Sequence, residues 1–206
     1  DGETLELGGL HSGGEECLPH KVTLGDFLKV CRAPGFDPQR TAFFMATAHG
    51  PCRFGQYAPY LRQVLDELGY SDVLVFSPTS GDGYGEITAG RPDLLISMWL
   101  AMVAGDLAQK FLFKTRPYET REGDSDENFT RAVKAFEDIL ARPDLSIKQR
   151  CKEMVAEVVR MRDRFRAIPA RYEKGRPLIG LVGEIFCRLN TFSNDDIARR
   201  IERLGG

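Results

Sequence analysis

Apolar positions along the chain fall into distinct patterns, and each predicts a different element. Ala42-Phe43-Phe44-Met45-Ala46 and Val73-Leu74-Val75-Phe76 are short unbroken runs, as expected of strands covered on both faces. Between them Tyr57, Leu61, Val64, Leu65 and Leu68 recur at helical spacing, with Gly69 placed as a C-cap, and predict a helix over 53–69. Strand, helix, strand is a βαβ unit, right-handed by default. A third apolar run, 177–186, predicts another strand that joins the same sheet or opens a second.

Helical periodicity dominates the rest. Leu24, Phe27, Leu28 and Cys31 share one helical face after Pro19, and Pro34-Gly35 stops that helix. Residues 93–114 are apolar almost all round, which predicts a buried helix. Phe129, Val133, Phe136, Ile139 and Leu140 mark a helix over 127–141 that ends near Pro143. Over 146–168 the apolar positions 147, 151, 154, 158, 161, 165 and 168 advance by alternating steps of four and three, the signature of a packed helix–helix seam. Arg160, Arg162, Arg164 and Arg166 alternate with them and read as a solvated face. Ser193, with Asp195 and Asp196 behind it, caps a helix carrying Ile197, Ile201 and Leu204. Residues 1–16, with Gly-Gly twice, read as loop or a short strand, and 79–91 as a glycine-rich loop. Arg116-Pro117-Tyr118-Glu119 reads as a helix terminator with an Arg–Glu pair. The elements predict a three-layer α/β arrangement divided as 1–120, an α/β lobe, 121–175, a helical segment, and 176–206, a final strand–helix unit.

Composition narrows the class. The 206 residues make one domain, or one and a half. Hydrophobic residues at 42% and charged residues at 28% exclude disorder, collagen and a disulfide miniprotein. A net charge of −2 argues against a nucleic-acid-binding face. The longest apolar stretch, 94–104, falls short of the roughly 20 residues that span a bilayer. The acidic start Asp1-Gly2-Glu3 shows no signal peptide, so no membrane partner is expected. Five cysteines cannot all pair within the chain, which favours a reduced, cytoplasmic setting.

The cysteines carry the candidate chemistry. Cys31 and Cys151 lie on apolar helix faces, where cysteine acts as a small hydrophobe. Cys17 precedes a helix start, Cys52 falls between a strand end and a helix start, and Cys187 follows the third apolar run. Ligands of open α/β sheets bind beyond the carboxyl ends of strands, and helix N-termini favour anions, thiolate or cluster alike. Lys21, Arg53 and Arg188 each stand near one of these thiols, and Cys52, with Arg53 beside it, is expected to alkylate most readily. Cys187 reads equally as a buried strand-end residue. His49 is the candidate base for Cys52, set against a loop-ordering role. Zinc spacing is absent apart from Cys17-x-x-His20, a weak signal. Scattered thiols suit an iron–sulfur cluster assembled in three dimensions. Gly81-Asp82-Gly83-Tyr84-Gly85 matches neither a dinucleotide fingerprint nor a P-loop.

Three stretches together carry a resemblance: Glu15-Glu16-Cys17-Leu18-Pro19; Thr47-Ala48-His49-Gly50-Pro51-Cys52-Arg53-Phe54-Gly55-Gln56-Tyr57; and Gly183-Glu184-Ile185-Phe186-Cys187-Arg188-Leu189-Asn190 with Ser193-Asn194. From about residue 10 to 206 the chain resembles the dehydratase-component domain of large acyl-CoA dehydratase activase-related proteins, which is similar to 2-hydroxyacyl-CoA dehydratases and benzoyl-CoA reductases. The resemblance implies Rossmann-like lobes, a helical insertion and a 4Fe-4S cluster for low-potential electron transfer. It implies Cys17 and Cys52 as cluster ligands beside Arg53, and Cys187 as a further metal ligand. ATP would be hydrolysed on a separate activator domain or partner, and an acyl-CoA would be the substrate. On this reading the chain is a fragment of a longer protein, inactive alone, and 176–206 begins a second lobe. Two other readings stay open: a non-catalytic interaction or scaffold domain, and a domain whose 79–91 loop holds CoA or phosphate.

Overall fold

A computed structural model describes residues 1–88 and 91–206. Ala89 and Gly90, in the loop expected over 79–91, lie outside the described residues. Among the described residues the chain is an α/β mix, 62% helical, with a two-stranded parallel sheet. It divides into two compact units, Asp1–Ala89 with Val182–Asp196, and Gly90–Leu181 with Ile197–Gly206.

The first unit opens with helices α1 (Gly2–Leu10) and α2 (Leu18–Arg32). The loop or strand expected over 1–16 is therefore overturned in its first ten residues. Asp1 caps the helix by accepting from the Thr4 N–H at 2.9 Å, and the glycines that suggested a loop serve helix packing. A Cβ on Gly8 would stand 1.9 Å from the Lys21 carbonyl oxygen, and one on Gly25 1.9 Å from that of Thr4. Only glycine at both positions lets α1 and α2 cross so closely.

The βαβ unit follows as read: β1 (Ala42–Phe44), α3 (Tyr57–Glu67) entered through the 3-10 turn Arg53–Gln56, and β2 (Leu74–Phe76), with Phe43 opposite Val75 in parallel register. An isolated bridge, Thr47 to Thr79, extends the pairing past the strand ends. Leu24 and Leu28 of α2, Leu61 and Leu65 of α3, Phe43 and Val73 close one core. Cover on both sheet faces, however, is not what the structure has. Phe44, Leu74 and Phe76 are exposed on the face opposite Phe43, the two phenylalanine rings 5.9 Å apart. Nor is 177–186 a strand: 177–184 is irregular and Ile185–Leu189 is a short helix. Gly183 at φ +138 breaks the run, and Leu178, Ile179, Val182 and Ile185 are exposed. Two short helices complete this unit: α4 (Gly85–Thr88), in the glycine-rich segment, and α8 (Ile185–Leu189), which packs against α2.

The second unit is a three-helix bundle of α5 (Pro92–Thr115), α6 (Asp124–Ala141) and α7 (Ile147–Ala167). Ala104, Ala108 and Leu112 of α5 meet Ala132, Phe136 and Ile139 of α6 and Met154, Met161 and Phe165 of α7, on the seam the four-and-three spacing marked. Ser146 and Gln149 form a capping box at the start of α7. The all-round burial expected of α5 is overturned, because only one stripe faces the bundle and Met98, Trp99 and Met102 are exposed. Asp93–Tyr118 is a helical stretch long and apolar enough to cross a membrane.

Arginines fasten this unit. Arg116 pairs not with Glu119 but with Glu202 of α9 (Ile197–Arg203), through two bonds of 2.8 and 2.9 Å, and with Asp126. Glu119 instead accepts from the Gly123 and Ser125 N–H groups. The arginine row on α7 is only partly solvated. Arg160 and Arg164 converge on the buried Glu157 at 2.6 and 2.8 Å, and Arg164 also bonds Asn128.

Candidate functional site

Three of the five cysteines stand at helix N-termini of the first unit. Cys17 is the N-cap of α2, with Pro19 in the first turn, where proline's fixed φ and missing N–H suit a helix start. Cys52 is the N-cap of the 3-10 turn that leads into α3. Cys187 lies in α8, and its N–H donates to the Glu184 carboxylate at 2.8 Å, so that Glu184 caps the helix. Neither Cys17 nor Cys52 caps its helix through the side chain, so neither sulfur is spent on the backbone.

Tyr57 meets one of these thiols directly. Its hydroxyl lies 2.6 Å from the Cys17 Sγ. Burial, the Cys17 contact and the charges of Cys52 and Glu184 hold its phenol well above the usual range. Burial, the Glu184 carboxylate and the charge of Cys17 likewise push the Cys187 thiol up. Cys17 touches the Tyr57 hydroxyl, Cys52 is exposed and Cys187 is half-buried. Cys31 is buried in the hydrophobic core, where desolvation raises its thiol, and Cys151 is half-buried on α7 in the other unit.

A hollow of about 240 Å³ opens beside Cys17, lined by Glu16, His20, Arg53, Gln56, Tyr57 and Tyr60 among others. The Arg53 guanidinium donates to the Glu15 carbonyl oxygen, tying the Cys52 turn to the segment that carries Cys17. Glu16 accepts from the N–H groups of Gly13 and Gly14, which hold its carboxyl below the usual range. His20 is 4% exposed and lies between Tyr57 and Tyr60, each ring centroid 4.8 Å away. Desolvation lowers its pKa, and its Nδ1 is buried without a hydrogen-bond partner.

His49 is placed differently. Its backbone N–H donates to the Ser80 hydroxyl at 3.2 Å, and its ring packs against Gly81, where a Cβ would come within 2.7 Å of it. The imidazole thus helps order the two loops beyond β1 and β2.

In the sequence His20 enters only through the weak Cys17-x-x-His20 spacing, and Tyr57 and Glu184 fall within the resembling stretches without a role of their own. Tyr57 sits in the apolar stripe of α3 and reads there as core. The usable signal was a phenol on that stripe five residues after Cys52, since a buried tyrosine hydroxyl needs a partner.

Among the described residues no three His, Cys, Asp or Glu side chains stand close enough to hold one metal ion. A cluster is larger than an ion and spaces its thiolates more widely. Thiolates are the usual ligands of such a group. Comparison with family models, with characterised proteins and with solved structures gives no match.

Proposed function

We propose that the chain is an iron–sulfur electron-transfer component related to 2-hydroxyacyl-CoA dehydratases and their ATP-dependent activases. The observation that supports this reading is that Cys17 and Cys52 both stand at helix starts in the unit that holds the sheet, with Arg53, next to Cys52, bonded to the Glu15 carbonyl two residues before Cys17. Cys17, Cys52 and Cys187 would hold a 4Fe-4S cluster, and a residue or ligand from outside this chain would complete the set. When bound, the cluster supplies one-electron transfer at low potential. The helix N-termini would offset its negative charge, Arg53 braces the two cysteine segments, and the buried Tyr57 covers one side of the Cys17 thiol.

The larger frame of this proposal is a Rossmann-like lobe of which β1, α3 and β2 are one βαβ unit. ATP hydrolysis belongs to a separate activator domain or subunit, an acyl-CoA is the substrate class, and the setting is cytoplasmic. A second reading, an interaction or scaffold domain, is favoured by the exposed sheet face of Phe44, Leu74 and Phe76. Anaerobic incubation with iron and sulfide separates the two. The electron-transfer reading expects a brown protein with about four irons per chain. A colourless protein that takes up no iron leaves the scaffold reading in its place.

A further inference from the structure

Along α5 the side turned away from the bundle changes character part-way. Ala104, Ala108 and Leu112 are buried against α6 and α7. On the opposite side Leu94, Leu95, Met98, Trp99, Met102 and Val103 are all exposed, Trp99 at 65% and Met102 at 61%. At 3.6 residues per turn these six spread over about half the helix circumference and about 15 Å of its length. Beyond Val103 the same side turns polar, with Asp106 and Lys110 exposed. Scaled by their exposures, the six offer on the order of 600 Å² of apolar surface. That is at the top of the range for the largest patch on a monomer, and close to the ~800 Å² that each partner gives to a standard interface.

The patch is arranged to meet a copy of itself. Its midpoint falls between Met98 and Trp99. Turning a second α5 antiparallel about that point sets Met98 against Trp99, Leu95 against Met102 and Leu94 against Val103. Positions 91, 95, 98 and 102 advance by four, three and four, the spacing of a helix–helix seam. The charges at the two ends match as well. Arg91 lies seven residues before Met98 and Asp106 seven after Trp99, both exposed and both continuing the patch side of the helix. An antiparallel pair places Arg91 of each copy opposite Asp106 of the other, whereas a parallel pair sets like charges together. The Arg91 side chain is 74% exposed; it bonds Asp93 of its own helix at 3.0 Å and has further N–H groups to give. A bilayer suits the patch less well, because about 15 Å is half the hydrocarbon thickness and the rest of the helix is committed to the bundle.

We propose that the exposed side of α5 is a homodimer interface: two copies of this chain pack antiparallel through Leu95, Met98, Trp99 and Met102, with Arg91 of each facing Asp106 of the other. Trp99, large and central in the patch, is the anchor. The interface is independent of the cysteines and of any group they hold.

The test is sedimentation velocity of the full chain under reductant, with the emission of Trp99, the only tryptophan in the sequence, followed over the same dilution series. A dimer at micromolar concentration is expected, with emission moving to longer wavelength as dilution dissociates it. Trp99→Glu and Met102→Glu should be monomers at every concentration, with wild-type helix content by circular dichroism. Arg91→Asp and Asp106→Arg should each weaken the dimer about tenfold, and the two together should restore it. A wild-type monomer whose emission does not change on dilution overturns the proposal. So does a monomer whose emission shifts only when phosphatidylcholine vesicles are added, which assigns the patch to a membrane. A dimer that both glutamate variants leave intact overturns α5 as the interface, and a double reversal as weak as the single ones overturns the antiparallel register.

Discussion

A neutral imidazole buried between two phenol rings makes His20 a source of pH dependence. Desolvation lowers its pKa in the folded chain, and the charge of Glu16 offsets only part of that effect. The unfolded chain therefore binds the proton more readily. The stability linked to His20 is complete above the unfolded imidazole value of about 6.5 and is lost as pH falls toward the lower folded value. Urea unfolding at neutral pH and at mildly acidic pH should show this loss in the wild type. His20→Phe should flatten the profile over the same window, and an equally steep profile in that variant would assign the acid sensitivity elsewhere. The same residue scale holds what was least legible in the sequence. Cys17 and Cys52 stood out because thiols at helix starts have a chemical reason to be there. Tyr57 did not, and His20 did only as a weak zinc spacing, because an aromatic at helical spacing looks the same whether its polar atom faces a sulfur or the core.

Among the elements, α1 and α2 make the sharpest case of local pattern yielding to packing. Glycine is a poor helix former, so Gly8 and Gly9 suggest a break in the chain. Gly8 is in fact buried against the Lys21 backbone, while Gly9 is exposed with open space around it. The two should answer alanine substitution oppositely. Gly8→Ala should destabilise by about 1–3 kcal/mol through forced overpacking. Gly9→Ala should stabilise by about 0.5–1 kcal/mol through helix propensity alone. Thermal or denaturant midpoints of the two variants check this, and a stabilised Gly8→Ala would mean that α1 does not cross α2 here. Periodic elements read well by comparison. The α7 seam and the α3 stripe each repeat over several turns, so their signals survive a few exceptions, among them the buried Glu157 and Arg150. The 177–186 run misled for the converse reason: its residues are apolar, but no neighbouring strand pairs with them among the described residues, and Gly183 bends it.

At the scale of the whole molecule, two hydrophobic cores divide the chain, and the cysteines divide with them. Cys17, Cys52 and Cys187 lie in the unit that holds the sheet, with Cys31 in the core of that unit, while Cys151 lies in the helical bundle. The parallel pair and its connecting helix were readable because apolar runs and stripes are local. Which sheet face is covered was not, because cover depends on elements distant in sequence. Under the proposed function Cys17, Cys52 and Cys187 serve one cluster, whereas Cys31 is buried in the core and Cys151 is half-buried on α7. Iron content after anaerobic assembly, measured for the wild type and for Cys17→Ser, Cys52→Ser, Cys187→Ser, Cys31→Ala and Cys151→Ala side by side, tests it most directly. About four irons per chain are expected in the wild type and in the Cys31 and Cys151 variants, with most of that iron lost in each of the other three. An iron content that is nil throughout, or that does not depend on which cysteine is replaced, would contradict it.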